Sequence, residues 1–419
     1  MSKRSNKSTS RRIIVSAVVY GGGHVRCLKP ILETLNSGPN VEVHVLALTT
    51  AYEELRDTSL KLHRFQDIPV PKVMSDRART LGLQFLETIN PHPDVPRSES
   101  CAYLGLNLLE LIDQYPSEKD ALEAFRMFGR QIFLPVRSLK YWLKAIAPDA
   151  LLTTTSPRAE KASIIVASEL NIPTIVVVDL FAEGPEFEWL SNPDLGHYLC
   201  VMNRVVWNRF RGKIDAKFLI EAINPAFVPP TTLRRQIVMR TGKLRILWAP
   251  SPEPAINPKS GTRGDVDWPK RLGVKLSKVF SPLDSVELAM RPHPNHPNTV
   301  PDNCVLDSYP DIWESLSQTD ILITTVSTVA IQAQALKIPT IVIKGSVVDD
   351  HGPLIDHGYA TRTVGEEDLH LLGCERYLNE TLDMEIGRPD LPTDSTEKIS
   401  TLVMNLVESS RVVLDKNSL

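Results

Sequence analysis

The sequence is short of several things, and each shortage removes a class of protein. It holds five cysteines in 419 residues (Cys27, Cys101, Cys200, Cys304 and Cys374), scattered, with no C-x-x-C pair and no histidine at metal-ligand spacing. A disulfide scaffold and a zinc module are thereby excluded, and reduced thiols in a cytoplasmic protein are expected. No apolar run approaches the roughly 18 residues of a membrane span, and no signal-peptide pattern opens the chain. An excess of one charge is missing as well. With 47 Lys+Arg against 50 Asp+Glu the net charge is −3, which offers no global field for nucleic acid. Internal repeats are absent, and so is low-complexity sequence beyond the N-terminus. What remains, 42% hydrophobic and 23% charged residues, is the composition of a soluble globular protein.

The one local bias lies in residues 1–11. Lys3, Arg4, Lys7 and Arg11 stand there among serines, with Arg12 next and no acid nearby. A disordered, solubilising tail is expected. The sharper alternative is weak attraction to an anionic membrane surface, which would make a cytoplasmic protein peripheral to the membrane.

A chain of 419 residues is too long for one ordinary core and predicts two domains. Ile13 to Tyr20 is an uncharged run rich in β-branched residues, the pattern of a buried parallel strand. Gly21-Gly22-Gly23-His24 breaks it. Val25, Leu28, Ile31, Leu32 and Leu35 then recur at helical spacing before a second strand from Val41. A β-α-β opening implies a right-handed crossover, with ligands at the carboxyl ends of the strands. Residues 76–147 interrupt this rhythm with helical patterns at Thr80–Ile89, Leu104–Ile112 and Ala121–Ala145, read as a helical insertion. Alternation resumes through residue 223, completing an N-terminal doubly wound domain over 12–223. Pro225, Pro229 and Pro230 mark a linker, 224–243. A second α/β series fills 244–393, and a last helix in 394–419 is expected to pack back across the junction. The fold class is α/β, with two doubly wound Rossmann-like domains facing a cleft.

The chemistry-bearing residues sit where strand patterns end. Met290-Arg291-Pro292-His293-Pro294-Asn295 closes the strand Val286–Met290 with a cation and an imidazole held between prolines. Thr325-Val326-Ser327-Thr328 closes Ile321–Thr324 with hydroxyls where a helix begins, and Gln332 lies one turn further on the same side. A cation, an imidazole, hydroxyls and helix N–H groups at strand ends make an anion-binding crevice. The diphosphate of a sugar nucleotide is its expected ligand. His293 would stabilise charge on a leaving phosphate, and Gln332 would bond a ribose or base. The bland alternatives are a loop histidine fixed for shape and an ordinary Ser327 helix cap.

In the first domain, Gly22 and Gly23 would let a ligand approach the backbone, with His24 beside it. The loop is neither G-x-G-x-x-G nor a phosphate loop with Lys-Ser/Thr, so dehydrogenase and ATPase readings fail. Glu183, after the strand ending at Val178-Asp179, could deprotonate an acceptor hydroxyl; Asp179, Glu186 and Glu188 compete with it. Asp265-Val266-Asp267 and Asp349-Asp350-His351 read as surface acids, and no metal or other cofactor is expected. Lys259 and Arg263, in the loop after Pro250, are further phosphate candidates.

On these residues the chain resembles the GT-B glycosyltransferase superfamily. The resemblance spans Gly21-Gly22-Gly23-His24, Asn224-Pro225-Ala226-Phe227, Leu247-Trp248-Ala249-Pro250 and the two loops around His293 and Ser327. It is nearest to bacterial polysaccharide and teichoic-acid-type transferases, sialyltransferase-like and CDP-glycerol glycerophosphotransferase-like. It implies a glycosyltransferase that moves a sugar or sugar-like group from a nucleotide-activated donor to a glycan, lipid-linked or small-molecule hydroxyl. His293, Ser327 and Thr328 would then hold the donor phosphates. Some relatives carry an acidic-acidic-Gly motif for the base; Ala182-Glu183-Gly184 matches half of it, and His24 is its rival. Many carry Glu where Gln332 stands, and UDP, CMP, CDP and GDP stay open. Non-hydrolysing sugar-nucleotide 2-epimerases share the fold and a His-Pro-Asn segment like His293-Pro294-Asn295. Their Ser-Gly-Gly stretch and paired glutamates are missing here, so epimerisation is the alternative, followed by a catalytically silent nucleotide-sugar-binding protein.

Overall fold

Mostly apolar runs, many of them rich in β-branched residues, become the strands. In chain order the first seven are β1 (Ile13–Val19), β2 (Val41–Ala47), β3 (Lys61–His63), β4 (Ala150–Thr153), β5 (Thr174–Val177), β6 (His197–Val201) and β7 (Leu219–Glu221). They pair in the order β3-β2-β1-β4-β5-β6-β7, all parallel. The next six are β8 (Leu244–Trp248), β9 (Val286–Met290), β10 (Val305–Leu306), β11 (Ile321–Thr324), β12 (Thr340–Ile343) and β13 (Arg362–Val364). These form a separate parallel sheet, β10-β9-β8-β11-β12-β13. The computed structural model describes residues 11–89, 92–230, 233, 242–257, 260–293, 300–349, 354–384 and 393–416. The basic tail through residue 10, half of the expected linker, Lys259, Pro294-Asn295 and Asp350-His351 lie outside the described residues.

The chain divides into two compact units, 1–226 with 394–419, and 227–393. In the first, α1 (Gly23–Asn36), α2 (Ala51–Leu55), α3 (Lys72–Phe85), α4 (Arg97–Gln114), α5 (Glu118–Phe128), α6 (Val136–Ile146), α7 (Ala159–Glu169) and α8 (Arg204–Phe210) accompany the sheet. The second holds α9 (Trp268–Phe280), α10 (Ile312–Ser317), α11 (Val329–Ala335) and α12 (Glu375–Asp383). The last helix, α13 (Ser395–Lys416), buries Ile399, Val403 and Val407 against the first unit's sheet and α1. No helix of the described residues is long and apolar enough to cross a membrane.

Both faces of the first sheet are covered, which explains why its strands read as continuous apolar runs. Val15, Ala17 and Val19 of β1 join Val25, Leu28, Ile31 and Leu32 of α1 on one face. Val18 joins Leu104 and Leu108 of α4 and Leu139 and Trp142 of α6 on the other. Truncating such a side chain, Leu28→Ala for instance, would cost about 2–5 kcal/mol. The helical pattern expected over Ala121–Ala145 is two helices, α5 and α6. Gly129 ends the first, and Pro135, which has no N–H to give a helix interior, precedes the second.

Candidate active site

The strand order of the first sheet reverses between β1 and β4, the kind of point at whose carboxyl edge open α/β sheets take their ligands. The glycine loop leaves β1 here. Gly21 fits closely, since a Cβ on it would lie 1.9 Å from the Thr50 hydroxyl oxygen. Gly22 has φ 71°, and its N–H donates to Glu54 Oε1 at 3.0 Å. Gly23 opens α1 with nothing within 4 Å of where its Cβ would be. The loop sets His24 in the first turn of α1.

His24 is tied to the two neighbouring strand ends. Its Nδ1 lies 2.7 Å from the Thr154 hydroxyl, just past β4, and 3.6 Å from Asp179 Oδ2, just past β5. The Thr154 hydroxyl donates onward to Glu160 Oε2 at 2.6 Å. Glu160 is fully buried, and its oxygens also accept the backbone N–H groups of Tyr20 (3.1 Å) and Ser156 (2.7 Å). Because the Thr154 proton goes to Glu160, the oxygen that faces His24 is an acceptor. The network therefore assigns the proton to Nδ1 and leaves Nε2 with its lone pair. Nε2 has no hydrogen-bond partner among the described residues, and the side chain is 28% exposed. Asp179 is braced in turn: the Thr155 hydroxyl donates to its Oδ1, and Asn224 Nδ2 donates to its carbonyl at 2.8 Å. Such an arrangement can accept a proton from a bound hydroxyl.

Glu183 stands in the same loop, four residues beyond Asp179. The loop turns sharply, with Ala182 at φ 48° and Gly184 at φ 108°. The Arg209 guanidinium pairs with the Glu183 carboxylate and also donates to the carbonyls of Phe181 (2.9 Å) and Ala182 (3.0 Å). Glu183, Glu188, Arg209 and Lys213 line a cavity of about 390 Å³. The Glu183 carboxylate is thus already answered by a cation, whereas His24 Nε2 has no hydrogen-bond partner among the described residues.

At the second sheet the order reverses between β8 and β11, and hydroxyls lace the two exits together. Thr324 donates to the Ala249 carbonyl at 2.6 Å, Ser251 donates to that of Val326 at 2.6 Å, and the Ser251 N–H donates to the Thr325 hydroxyl at 3.0 Å. Ser327 is half-buried and Thr328 exposed at the start of α11, where the Thr328 side chain makes no capping bond. His293 and Gln332 are half-buried, each with a partner of its own. Arg291 directs Nη1 to Asp307 Oδ2 (2.5 Å) and the Tyr309 carbonyl (2.9 Å). Asp307, its side chain fully buried, also accepts from Arg245 at 2.8 Å. The cation expected to meet phosphate is thus first a partner of Asp307. Asp265 is paired with Arg271 at 2.6 Å, and Arg263 is exposed.

No family profile matches this chain, and no curated protein matches it in sequence. Solved structures do match in shape. MurG of Acinetobacter baumannii aligns with a TM-score of 0.55 at 14% identity over 94% of this chain and 99% of its own. The UDP-GlcNAc 2-epimerase of Neisseria meningitidis, solved bound to UDP-GlcNAc, gives 0.53 at 13% over 94% and 100%. The glycosyltransferase SnogD of Streptomyces nogalater gives 0.51 at 13% over 94% and 100%. The fold is GT-B. Identities this low establish shape alone, and GT-B chains of these two activities match almost equally well.

Thr154 and Glu160 are the residues that sequence reading missed. The signal was present in Thr153-Thr154-Thr155-Ser156, a run of hydroxyls ending an apolar strand much as Thr324-Thr325 ends β11. Glu160 reads from sequence as an ordinary acid in a helix's first turn, and only burial reveals its part.

Proposed function

We propose that this chain is a glycosyltransferase that moves a sugar, or a sugar-like group, from a nucleotide-activated donor to an acceptor hydroxyl, in glycan or polysaccharide synthesis. The observation that carries the reading is the His24–Thr154–Glu160 chain, which holds one imidazole nitrogen protonated and leaves the other to accept. In the reaction the acceptor hydroxyl gives its proton to His24 Nε2 and its oxygen bonds to the donor's anomeric carbon. The bond from that carbon to the diphosphate breaks, and the electron pair leaves with the nucleotide. The second unit is assigned the nucleotide, with His293, Ser327 and Thr328 on the phosphates and Gln332 near the ribose. This scheme uses no metal. His24 is preferred to Glu183 as base because Arg209 already occupies that carboxylate.

A second reading, sugar-nucleotide 2-epimerisation, is favoured by the likeness to epimerases, one of them solved with UDP-GlcNAc. One experiment separates the two. The protein is incubated with UDP-GlcNAc and with CMP-, CDP- and GDP-activated donors, with and without an acceptor mixture, and free nucleotide is assayed. Release that rises with acceptor is expected. Conversion of the donor sugar without release would replace transfer by epimerisation, and binding alone would make the chain a silent nucleotide-sugar binder.

A further inference from the structure

The helical layer of the first unit encloses a cavity that the transfer reading does not use. It lies between α3 and α4, measures about 330 Å³, and falls in the size range of small-ligand sites. Two glycines shape it. A Cβ on Gly82 would meet the Cys101 carbonyl oxygen at 2.1 Å, and one on Gly105 would meet that of Ala78 at 1.8 Å. The helices therefore touch backbone to backbone at these points, which fixes their crossing and keeps the space beside it open.

The lining is apolar within and cationic outside. Ile68, Leu86, Cys101 and Leu106 are buried, whereas Arg79 and Arg97 are exposed, and no acid lines the cavity among the described residues. Arg97 pairs with the exposed Glu87 at 2.6 Å. Arg79 has no acid partner among the described residues. An apolar cavity holds water poorly and takes apolar groups readily. Arg79, the rim cation with no acid to neutralise it, selects a negative head.

We propose that this cavity binds a single-chain fatty carboxylate, its alkyl chain between α3 and α4 and its carboxylate on Arg79. The site acts independently of the transfer reading, and its test needs no transferase activity.

Cys101 reports occupancy directly, because it lines the cavity and burial pushes its thiol up, so that alkylation is slow and readily blocked. Full-length protein is treated with N-ethylmaleimide at mild alkaline pH while dodecanoate is titrated below its micellar concentration, and each cysteine is followed by peptide mass spectrometry. Dodecanoate should protect Cys101 and leave the exposed Cys374 reactive. Ala102→Trp, which fills the cavity, should abolish protection. Arg79→Glu, on the exposed rim where folding is not at stake, should weaken protection by dodecanoate about tenfold and leave protection by dodecanol unchanged. No protection in the unmodified protein, or equal protection in Arg79→Glu, overturns the proposal. Protection by anionic phospholipid vesicles but not by monomeric dodecanoate overturns it in favour of a membrane surface.

Discussion

The two sheets share one plan, parallel strands with a reversal of order near the middle, yet their carboxyl edges are built for different work. At the first, a buried carboxylate and a threonine hydroxyl stand behind a single imidazole and set which nitrogen carries the proton. At the second, hydroxyls are turned onto backbone carbonyls, and the prominent cation is already matched by a buried acid. At the first edge the hydrogen bonds converge on one side chain; at the second they tie loop to loop and leave Ser327 and Thr328 at the start of α11. Fold alone could not distinguish them. The distinction comes from which polar groups are buried and where their hydrogen bonds go.

The sharpest break of this contrast is His24→Ala. Removing a general base costs on the order of 10³ in turnover, and the acid limb of the kcat/KM pH profile should vanish with it. A variant that kept turnover within tenfold would end the assignment. His293→Ala tests the other edge. Loss of one phosphate-stabilising donor should lower turnover by about 10² to 10³ and leave the acid limb in place, so that limb separates the two histidines even where their rates overlap.

Acid should strike the first unit harder. His197, the buried histidine among the described residues, is pushed down to about 4 by burial, only partly offset by its bond to the Leu190 carbonyl. Its folded pKa lies below its unfolded value near 6.5. The stability it contributes is therefore fully present above pH 6.5 and is lost as pH falls towards 4. That loss amounts to roughly 10² in the unfolding equilibrium. Chemical denaturation of His197→Gln should show a flatter acid side in the transition of the first unit; an unchanged slope would remove His197 from the account.

Much of this was legible in the sequence, and the reason is periodicity. β9, β11 and β12 coincide with their apolar runs, because parallel strands covered on both faces must be largely apolar; β10, two exposed residues at the sheet's edge, was read from the Val305-Leu306 pair alone. The period carried α1 even through Pro30, which sits inside the helix. Short strands were not legible: β3, β7 and β13 have three residues each, too few to show a period. His24, Glu183, His293 and Ser327 could be named from sequence because strand ends are conspicuous. The ranking between His24 and Glu183 could not be, since it rests on Thr154, Glu160 and Arg209, which are distant in sequence and informative only once folded.

Thr154→Val refines the first edge without removing the base. The imidazole loses its nearest acceptor, but Asp179 Oδ2, already at 3.6 Å, can take the Nδ1 proton. Turnover should therefore fall only about tenfold, with the acid limb of the profile displaced and restored by Thr154→Ser. A purely structural role for Thr154 would lower the amount of folded protein and leave that limb where it was.

The smallest expected effect discriminates best between the two candidate bases. Glu183→Gln keeps a side chain that can accept from Arg209 while removing the charge. If Glu183 took the acceptor proton, turnover would drop by 10² to 10⁴, as for any lost general base. If its role is to pair with Arg209 and hold the Ala182–Gly184 turn, turnover should stay within about threefold and only the thermal stability of the loop should change, by about 1 kcal/mol or less. Measuring Glu183→Gln beside His24→Ala, with one donor and one acceptor, decides which carboxyl-edge group of the first sheet accepts the proton.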